Sequence, residues 1–270
     1  MFSPPDLPPQ EKVIAPLSWN HFNPGDLKQD LITLPLEAGL IEAISVSYTH
    51  QGLSLWPFHS ESAKKTNLPT TLSRSTLLPI GLGVTAAIFG VLKLSNDDFS
   101  LGTQLRGFLH AHLLNEIATS TAKTTFQRKR PFYDTEVSSG IKPAEDNQFS
   151  FFSGHASHAF TFATYTSGLM LKYTNNPILS WSYTAAAYTT AAWIASTRVN
   201  DHAHNVSDVI VGALVGTIIS GAVFYRVQQV DAVHKKTSDK DLIFDYQFLP
   251  YTFQDNNKRS WYAGMFEIKF

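Results

Sequence analysis

The sequence predicts a mainly α-helical protein, a single bundle of about six helices with a C-terminal β-hairpin. Two observations carry this expectation. Long stretches between residues 75 and 227 hold apolar residues at helical spacing with few charges, and beyond residue 241 the pattern changes to apolar and polar residues in alternation. At 270 residues and 43% apolar content, the chain has enough material for one large domain with a core of its own.

The elements follow in order. Residues 1–25 are Pro-rich and weakly periodic, which predicts an extended arm. A first helix begins after Asp26, a possible cap, with Leu27, Leu31 and Leu34 on one face; an interruption is expected near Pro35, and Asp30 is given a structural role. Residues 50–73 read as loop. Ser75 to Leu92 is an uncharged apolar run despite Pro79, and reads as a helix that is buried or membrane-bound. Leu101 to Thr121 is a further helix, leading into a basic cluster at Lys123. The polar stretch Ser138 to Ser150, with Gly140 and Pro143, reads as a loop. Three more helices are expected over His155–Tyr173, Ile178–Thr197 and Val206–Val227, the first stopped by Asn175-Asn176-Pro177. Leu242–Phe253 and Arg259–Phe270 alternate around Asp255-Asn256-Asn257-Lys258, a hairpin signal. The predicted organisation is therefore an arm over 1–25, a helical domain over 26–235 and a hairpin tail over 236–270.

Charge narrows the function. With 21 basic against 22 acidic residues the formal net charge is −1, so nothing favours a nucleic-acid partner. The absence of cysteine excludes disulfides, thiolate metal sites and cysteine nucleophiles. No signal peptide is visible in Met1–Gln10. Either the chain is cytoplasmic or a signal has been removed; the second is the expectation taken forward. Three uncharged runs approach the roughly 20 residues that cross a bilayer. They are diluted by Ser, Thr, Tyr, Gly and Ala, and the mean hydropathy is −0.09, so a soluble bundle is favoured, with membrane association as the alternative. The oligomeric state is not predicted.

Three segments carry the chemistry. In the first, Lys123 and Arg130 lie seven residues apart, before Pro131. If helical, they are two turns apart on nearly one face and can reach one anion; basic residues also suit a helix C-terminus for the dipole alone. In the second, Ser150-Phe-Phe-Ser153-Gly154-His155-Ala-Ser-His158, a loop feeds a helix N-terminus, where backbone N–H groups lack intrahelical partners and bind anions. Gly154 permits close approach of a ligand. Ser153 can equally be an ordinary N-cap, and His158 reads as a core or supporting histidine. The third segment runs from Arg198 through Asp201, His202 and His204 to Asp208. Four-residue spacing puts His204 and Asp208 on one helix face, where the carboxylate can accept the Nδ1 proton and leave Nε2 to attack. A metal site built from Asp201, His202, His204 and Asp208 is the alternative, although it leaves Arg198 and the other two segments unexplained.

Lys-x6-Arg-Pro, then Ser-Gly-His, then Arg-x5-His-x3-Asp resembles the signature of the type 2 phosphatidic acid phosphatase superfamily, which includes class A acid phosphatases, lipid phosphatases and vanadium haloperoxidases. The resemblance covers Lys123 to Asp208 and departs at Phe152, usually proline, and at Thr197, usually serine. Phe152 would change the loop's stiffness or line the pocket mouth, and Thr197 keeps a hydroxyl.

The resemblance implies a phosphohydrolase in which His204 attacks phosphorus and forms a phosphohistidine, His155 protonates the leaving oxygen, and Asp208 orients His204. Lys123, Arg130, Ser153, Gly154 and Arg198 would hold the phosphate, with no metal or cofactor required; vanadate would bind the same site. It implies a phosphomonoester or a lipid phosphate or pyrophosphate as substrate, and an extracytoplasmic, periplasmic or envelope location. A vanadate-dependent haloperoxidase and a catalytically inactive envelope interaction protein are the rival functions.

Overall fold

The computed structural model describes residues 22–46, 74–241, 246–254 and 260–268. Among the described residues there are seven α-helices: α1 Leu27–Val46, α2 Arg74–Ser95, α3 Leu101–Phe126, α4 Tyr133–Ser138, α5 Gly154–Tyr173, α6 Pro177–Asn200 and α7 Val206–Asp241. The chain divides into two units, Met1–Val227 and Gln228–Phe270. The mainly helical expectation holds, with one helix more than expected. The addition is α4, a single short run inside the basic-to-Gly154 connection.

Local chemistry sets the ends. Asp26 caps α1, its Oδ1 accepting from the backbone N–H groups of Lys28 and Gln29 at 3.0 and 3.1 Å. The interruption expected at Pro35 does not occur, since α1 continues to Val46. Pro35 lies on an exposed face, and the buried carboxylates on either side of it, Asp30 and Glu37, are both bound to His110 of α3. This clasp holds α1 to α3 on both sides of the proline, which removes one helical hydrogen bond. Asp30 also receives Arg106 Nε and the Gly25 N–H at 2.8 and 3.0 Å, in keeping with its structural role. Asn176 caps α6 through Leu179 N, and Pro177 occupies the first turn, where its missing N–H is harmless.

The main core joins α2, α3, α5 and α7 through Phe89, Leu92, Phe99, Phe108, Tyr165, Leu169 and Val223. Small residues let the helices approach. A Cβ on Gly107 would fall 2.4 Å from the Tyr165 hydroxyl, one on Gly212 2.7 Å from the Ser153 carbonyl oxygen, and one on Gly216 2.1 Å from the Ser157 carbonyl oxygen. The starts of α5 and α7 are therefore in backbone contact, and the motif segments sit at that junction.

The surface departs from the soluble-bundle expectation. Leu31, Ile80, Ile178, Trp181, Ile218 and Tyr225 are each more than half exposed. Val206–Lys235 is long and apolar enough to cross a membrane, with only 33% of its most apolar window buried. The hairpin expected at the C-terminus is not counted in the fold. Its turn, residues 255–259, lies outside the described residues, and the flanking extended segments, Tyr246–Gln254 and Ser260–Ile268, fall in the second unit. The arm expected over 1–25 and the loop over 50–73 lie outside the described residues, apart from residues 22–25.

Candidate active site

The three motif segments meet where α3 ends and α5 and α7 begin. Lys123 stands in the last turn of α3, which closes at Gln127 in the left-handed conformation (φ 44°) with its N–H on the Lys123 carbonyl. The helix therefore stops short of Arg130, and the shared helix face expected for Lys123 and Arg130 does not exist. A loop brings Arg130 back instead. Arg130 N donates to Asn147 O and Ser150 N to Arg128 O, both at 2.8 Å, pairing the two arms of the 127–150 connection. The Arg130 guanidinium then donates to Ala203 O at 3.0 Å, beside His204, and to Asp146 Oδ2 at 2.5 Å.

Ser153 is the N-cap of α5, its Oγ accepting from Ala156 N at 3.4 Å, so its ordinary capping role is present in the structure. Its own N–H donates to the Asp208 carbonyl at 3.0 Å, which ties the start of α5 to that of α7. A Cβ on Gly154 would lie 4.0 Å from Lys123 Nζ, so the ammonium stands beside the positive end of the helix. His155 follows in the first turn, half-buried. Phe152 does not line a pocket mouth: it is 4% exposed and packs with Phe151 and Ala122. Thr197 bonds back to Ile194 O at 2.7 Å within α6, as threonine in a helix does.

His204 is not on α7. It lies in the tight turn between α6 and α7, where His202 takes φ 51° and both Ala203 N and His204 N donate to Arg198 O at 3.1 and 3.2 Å. This turn sets Arg198 and His204 side by side although they are six apart in sequence. The expected Nδ1 bond to Asp208 is also absent, because His204 Nδ1 and Asp208 Oδ2 are 3.7 Å apart, beyond hydrogen-bonding range. Nδ1 lies instead 2.8 Å from the Ser150 carbonyl oxygen. A carbonyl only accepts, so Nδ1 carries the proton and Nε2 keeps its lone pair.

Asp208 is fully buried and engaged elsewhere. Its carboxylate accepts from Arg128 Nη1, from Ser150 Oγ at 2.6 Å and from Asn205 N at 2.9 Å. Sequence reasoning gave no role to Arg128, Ser150, Asn205 or Asp146. Arg128 was visible only as one more cation in a basic run, and the spacing of the other three carries no signal.

The charges act on one another. Burial pushes the His204 imidazole down to about 4; Asp208 opposes this, while Arg130 and Lys123 add to it. His204 is therefore neutral at ordinary pH. Burial lowers Arg198 from its usual value, with Asp201 opposing and Arg130 adding to the effect. Partial desolvation opposes ionisation of the Asp146 carboxyl, but Arg130, Lys123 and His204 outweigh it and hold the group below its usual value. Burial would raise Asp208, but His204, Ser150, Arg128 and the Asn205 N–H together hold it at about 2. Lys123, Arg130, Arg198 and His204 thus share one electrostatic neighbourhood. The alternative metal set is not assembled: among the described residues no three His, Asp or Glu are grouped to hold a metal ion.

A neutral, oriented imidazole among three cations at a helix N-terminus is suited to an oxyanion with a reactive centre. Residues 104–231, which contain all three segments, match the family model of the PAP2 superfamily. Over these 128 of its 270 residues the chain is similar to that superfamily. It is 26% identical over 167 residues to a PA-phosphatase related-family protein of Dictyostelium discoideum, covering 58% of this chain and 61% of that protein. It is 26% identical over 165 residues to a probable diacylglycerol pyrophosphate phosphatase 1 of Schizosaccharomyces pombe, covering 52% and 59%. The chain thus spans about three fifths of the length of these curated relatives. No solved structure matches it significantly.

Proposed function

We propose that this chain is a phosphohydrolase of the PAP2 superfamily that transfers a phosphoryl group to His204 and then to water. The observation that carries the reading is the 2.8 Å bond from His204 Nδ1–H to the Ser150 carbonyl, which reserves Nε2 as the nucleophile. In the first step the Nε2 lone pair forms the N–P bond as the P–O bond to the leaving group breaks, and His155 protonates the departing oxygen. In the second step water attacks phosphorus and the N–P bond breaks, with His155 accepting the water's proton. Lys123, Arg130, Arg198 and the N–H groups around Ser153 and Gly154 offset charge on the equatorial oxygens, the main contribution a protein makes to phosphoryl transfer. Arginine forks suit paired oxygens. The reaction as proposed uses no metal or cofactor, and vanadate, with the shape of the transition state, would compete for the site.

A lipid phosphate or pyrophosphate is the proposed substrate, on two grounds. One curated relative is named as a PA-phosphatase related-family protein and the other as a probable diacylglycerol pyrophosphate phosphatase. The apolar exposed faces of α1, α2, α6 and α7 would also sit favourably against a bilayer, so the chain is proposed to be membrane-associated. An extracytoplasmic, envelope location is part of the same proposal.

The test is phosphate release in EDTA from p-nitrophenyl phosphate and from phosphatidate or diacylglycerol pyrophosphate in vesicles, for the wild type and His204→Ala. Metal-independent, vanadate-sensitive release that is lost in folded His204→Ala is expected. Full release by that variant would remove the proposed nucleophile, and halide oxidation dependent on vanadate and peroxide, without phosphate release, would replace the phosphatase by a peroxidase.

A further inference from the structure

Resting on the phosphohistidine reading, we propose that Arg128 is the positioning residue of the reaction: it fixes the peptide carbonyl that aims His204, and it does not bind the phosphate. The nearest acceptor for the nucleophile's N–H is the Ser150 carbonyl, 2.8 Å from His204 Nδ1, with the hydroxyl of the same residue at 3.4 Å. A backbone carbonyl in a loop is only as well placed as the contacts that hold its residue. Ser150 is held twice, and both holds lead to Arg128. Its N–H donates to the Arg128 carbonyl at 2.8 Å, and its hydroxyl donates at 2.6 Å to the Asp208 carboxylate, whose other oxygen is taken by Arg128 Nη1. The same Nη1 donates to Ser207 Oγ at 2.7 Å, anchoring the guanidinium on the first turn of α7.

Arg198 is itself only 6% exposed, so what separates Arg128 from the cations proposed to bind phosphate is the burial of its carboxylate partner. Arg128 is 3% exposed and its partner Asp208 is fully buried, whereas the Asp146 side chain that holds Arg130 is 72% exposed. A phosphate can displace an exposed carboxylate from Arg130. It cannot displace a buried one from Arg128 without stranding a charge. Arg128 therefore stays on Asp208 through the cycle, and it has a second effect: it neutralises much of the Asp208 field that would otherwise favour protonation of His204.

The experiment compares wild type, Arg128→Gln, Arg128→Lys, Asp208→Asn and the double variant Arg128→Gln/Asp208→Asn as full-length chains. Each is assayed for kcat and KM on p-nitrophenyl phosphate, the pH dependence of kcat/KM, inhibition by inorganic phosphate and thermal unfolding. A misplacement of about 1 Å at a reacting centre costs on the order of 100-fold, so Arg128→Gln should lose about that in kcat, with KM and phosphate inhibition within about twofold of wild type. Its acidic limb should move to higher pH, because Asp208 is no longer screened. Arg128→Lys should recover part of kcat and return the limb towards wild type. The double variant should be no slower than the slower single variant, since both remove one unit.

Weakened phosphate inhibition with unchanged kcat would make Arg128 a substrate ligand and overturn the proposal. A merely structural residue would lower the unfolding temperature, leave the acidic limb in place and give independent losses in the double variant. If Arg128→Gln fails to fold, Arg128→Lys decides: a fall in kcat with KM unchanged supports positioning, and wild-type kcat overturns it. Trapping with radiolabelled substrate separates the two readings. Acid-labile label on His204 in the wild type sustains the phosphohistidine, so a wild-type kcat in Arg128→Gln then sinks only the role of Arg128; absence of label in an active wild type sinks the reading beneath it.

Discussion

Gly216→Ala tests whether the backbone contact between α5 and α7 builds the site. The added methyl would lie 2.1 Å from the Ser157 carbonyl oxygen and 2.9 Å from its carbon, both backbone, so no rotamer relieves the clash. Ordinary contact begins near 3.4 Å, and the helices must part by roughly 1 Å. Two bonds that bridge the same crossing oppose this, Thr161 Oγ1 to Gly216 O at 3.3 Å and Ser220 Oγ to Thr161 O at 2.8 Å. Overpacking costs about 1–3 kcal/mol, and with these bonds strained a total of about 3 kcal/mol is expected. For a domain of this size that corresponds to a fall of about 10 °C in Tm. The displacement also reaches the 3.0 Å bond from Ser153 N to Asp208 O, so kcat should fall by about 100-fold even well below Tm. Gly221→Ala is the control on the same helix: its nearest neighbour is Thr164 Cγ2 at 4.0 Å, and replacing helical glycine there should raise stability by about 0.5–1 kcal/mol. Thermal unfolding and p-nitrophenyl phosphate turnover, measured side by side, decide the matter. A Gly216→Ala protein matching wild type in both, or a Gly221→Ala protein equally damaged, would refute the reasoning.

Two pH effects follow from the buried histidines. Because His204 is lowered to about 4, the acidic limb of kcat/KM should lie near that pH rather than near 6.5, and a limb at 6.5 would mean that the imidazole is not buried as described. The same shift makes stability fall as pH drops from 6.5 through 4, by about 3 kcal/mol, readable as a falling midpoint of chemical unfolding in the wild type and a weaker fall in His204→Gln. His110 behaves oppositely. Burial alone would lower it, but the Asp30 and Glu37 carboxylates raise it to about 9, so its contribution of about 3 kcal/mol is present below 6.5 and lost as pH rises through 9. Replacing it by Gln should lower stability at pH 6 and flatten the alkaline decline; an unchanged decline would place its cause elsewhere.

The sequence made the helical class and the meeting of three segments legible, since polar residues at fixed spacing interrupt otherwise apolar helices. It misled wherever a helix was assumed to continue. Lys123 and Arg130 were placed on one face, but Gln127 turns left-handed between them; His204 and Asp208 were placed on one face, but His202 turns left-handed before α7 begins. In both cases the side chains still converge, through a turn instead of a helix face, so the residues come together by a different wiring from the one the spacing suggests. Ser150 escaped notice because its decisive group is a carbonyl, which every residue has. Arg128 escaped because its partner, Asp208, is 80 residues away, and no local pattern marks a contact closed by a returning loop.

The distribution of carboxylates explains how three arginines stand close together before substrate arrives, and it yields a final prediction. Arg128 is matched by Asp208, Arg130 by Asp146 and Arg198 by Asp201. The side-chain exposures of these carboxylates are 0%, 72% and 13%, so the pairs are not equivalent. Phosphate entering the site competes with Asp146 for Arg130, and an exposed pair of this kind is worth at most about 1 kcal/mol. Asp146→Asn should therefore tighten inhibition by inorganic phosphate, by up to about fivefold. Asp208→Asn should leave that inhibition nearly unchanged while lowering kcat, because it loosens the carbonyl that aims His204 without touching the anion site. Two single carboxylate-to-amide changes, each made beside an arginine, should thus separate binding from turnover. If both alter phosphate inhibition in the same direction and to the same extent, the division between a substrate arginine and a positioning arginine does not hold.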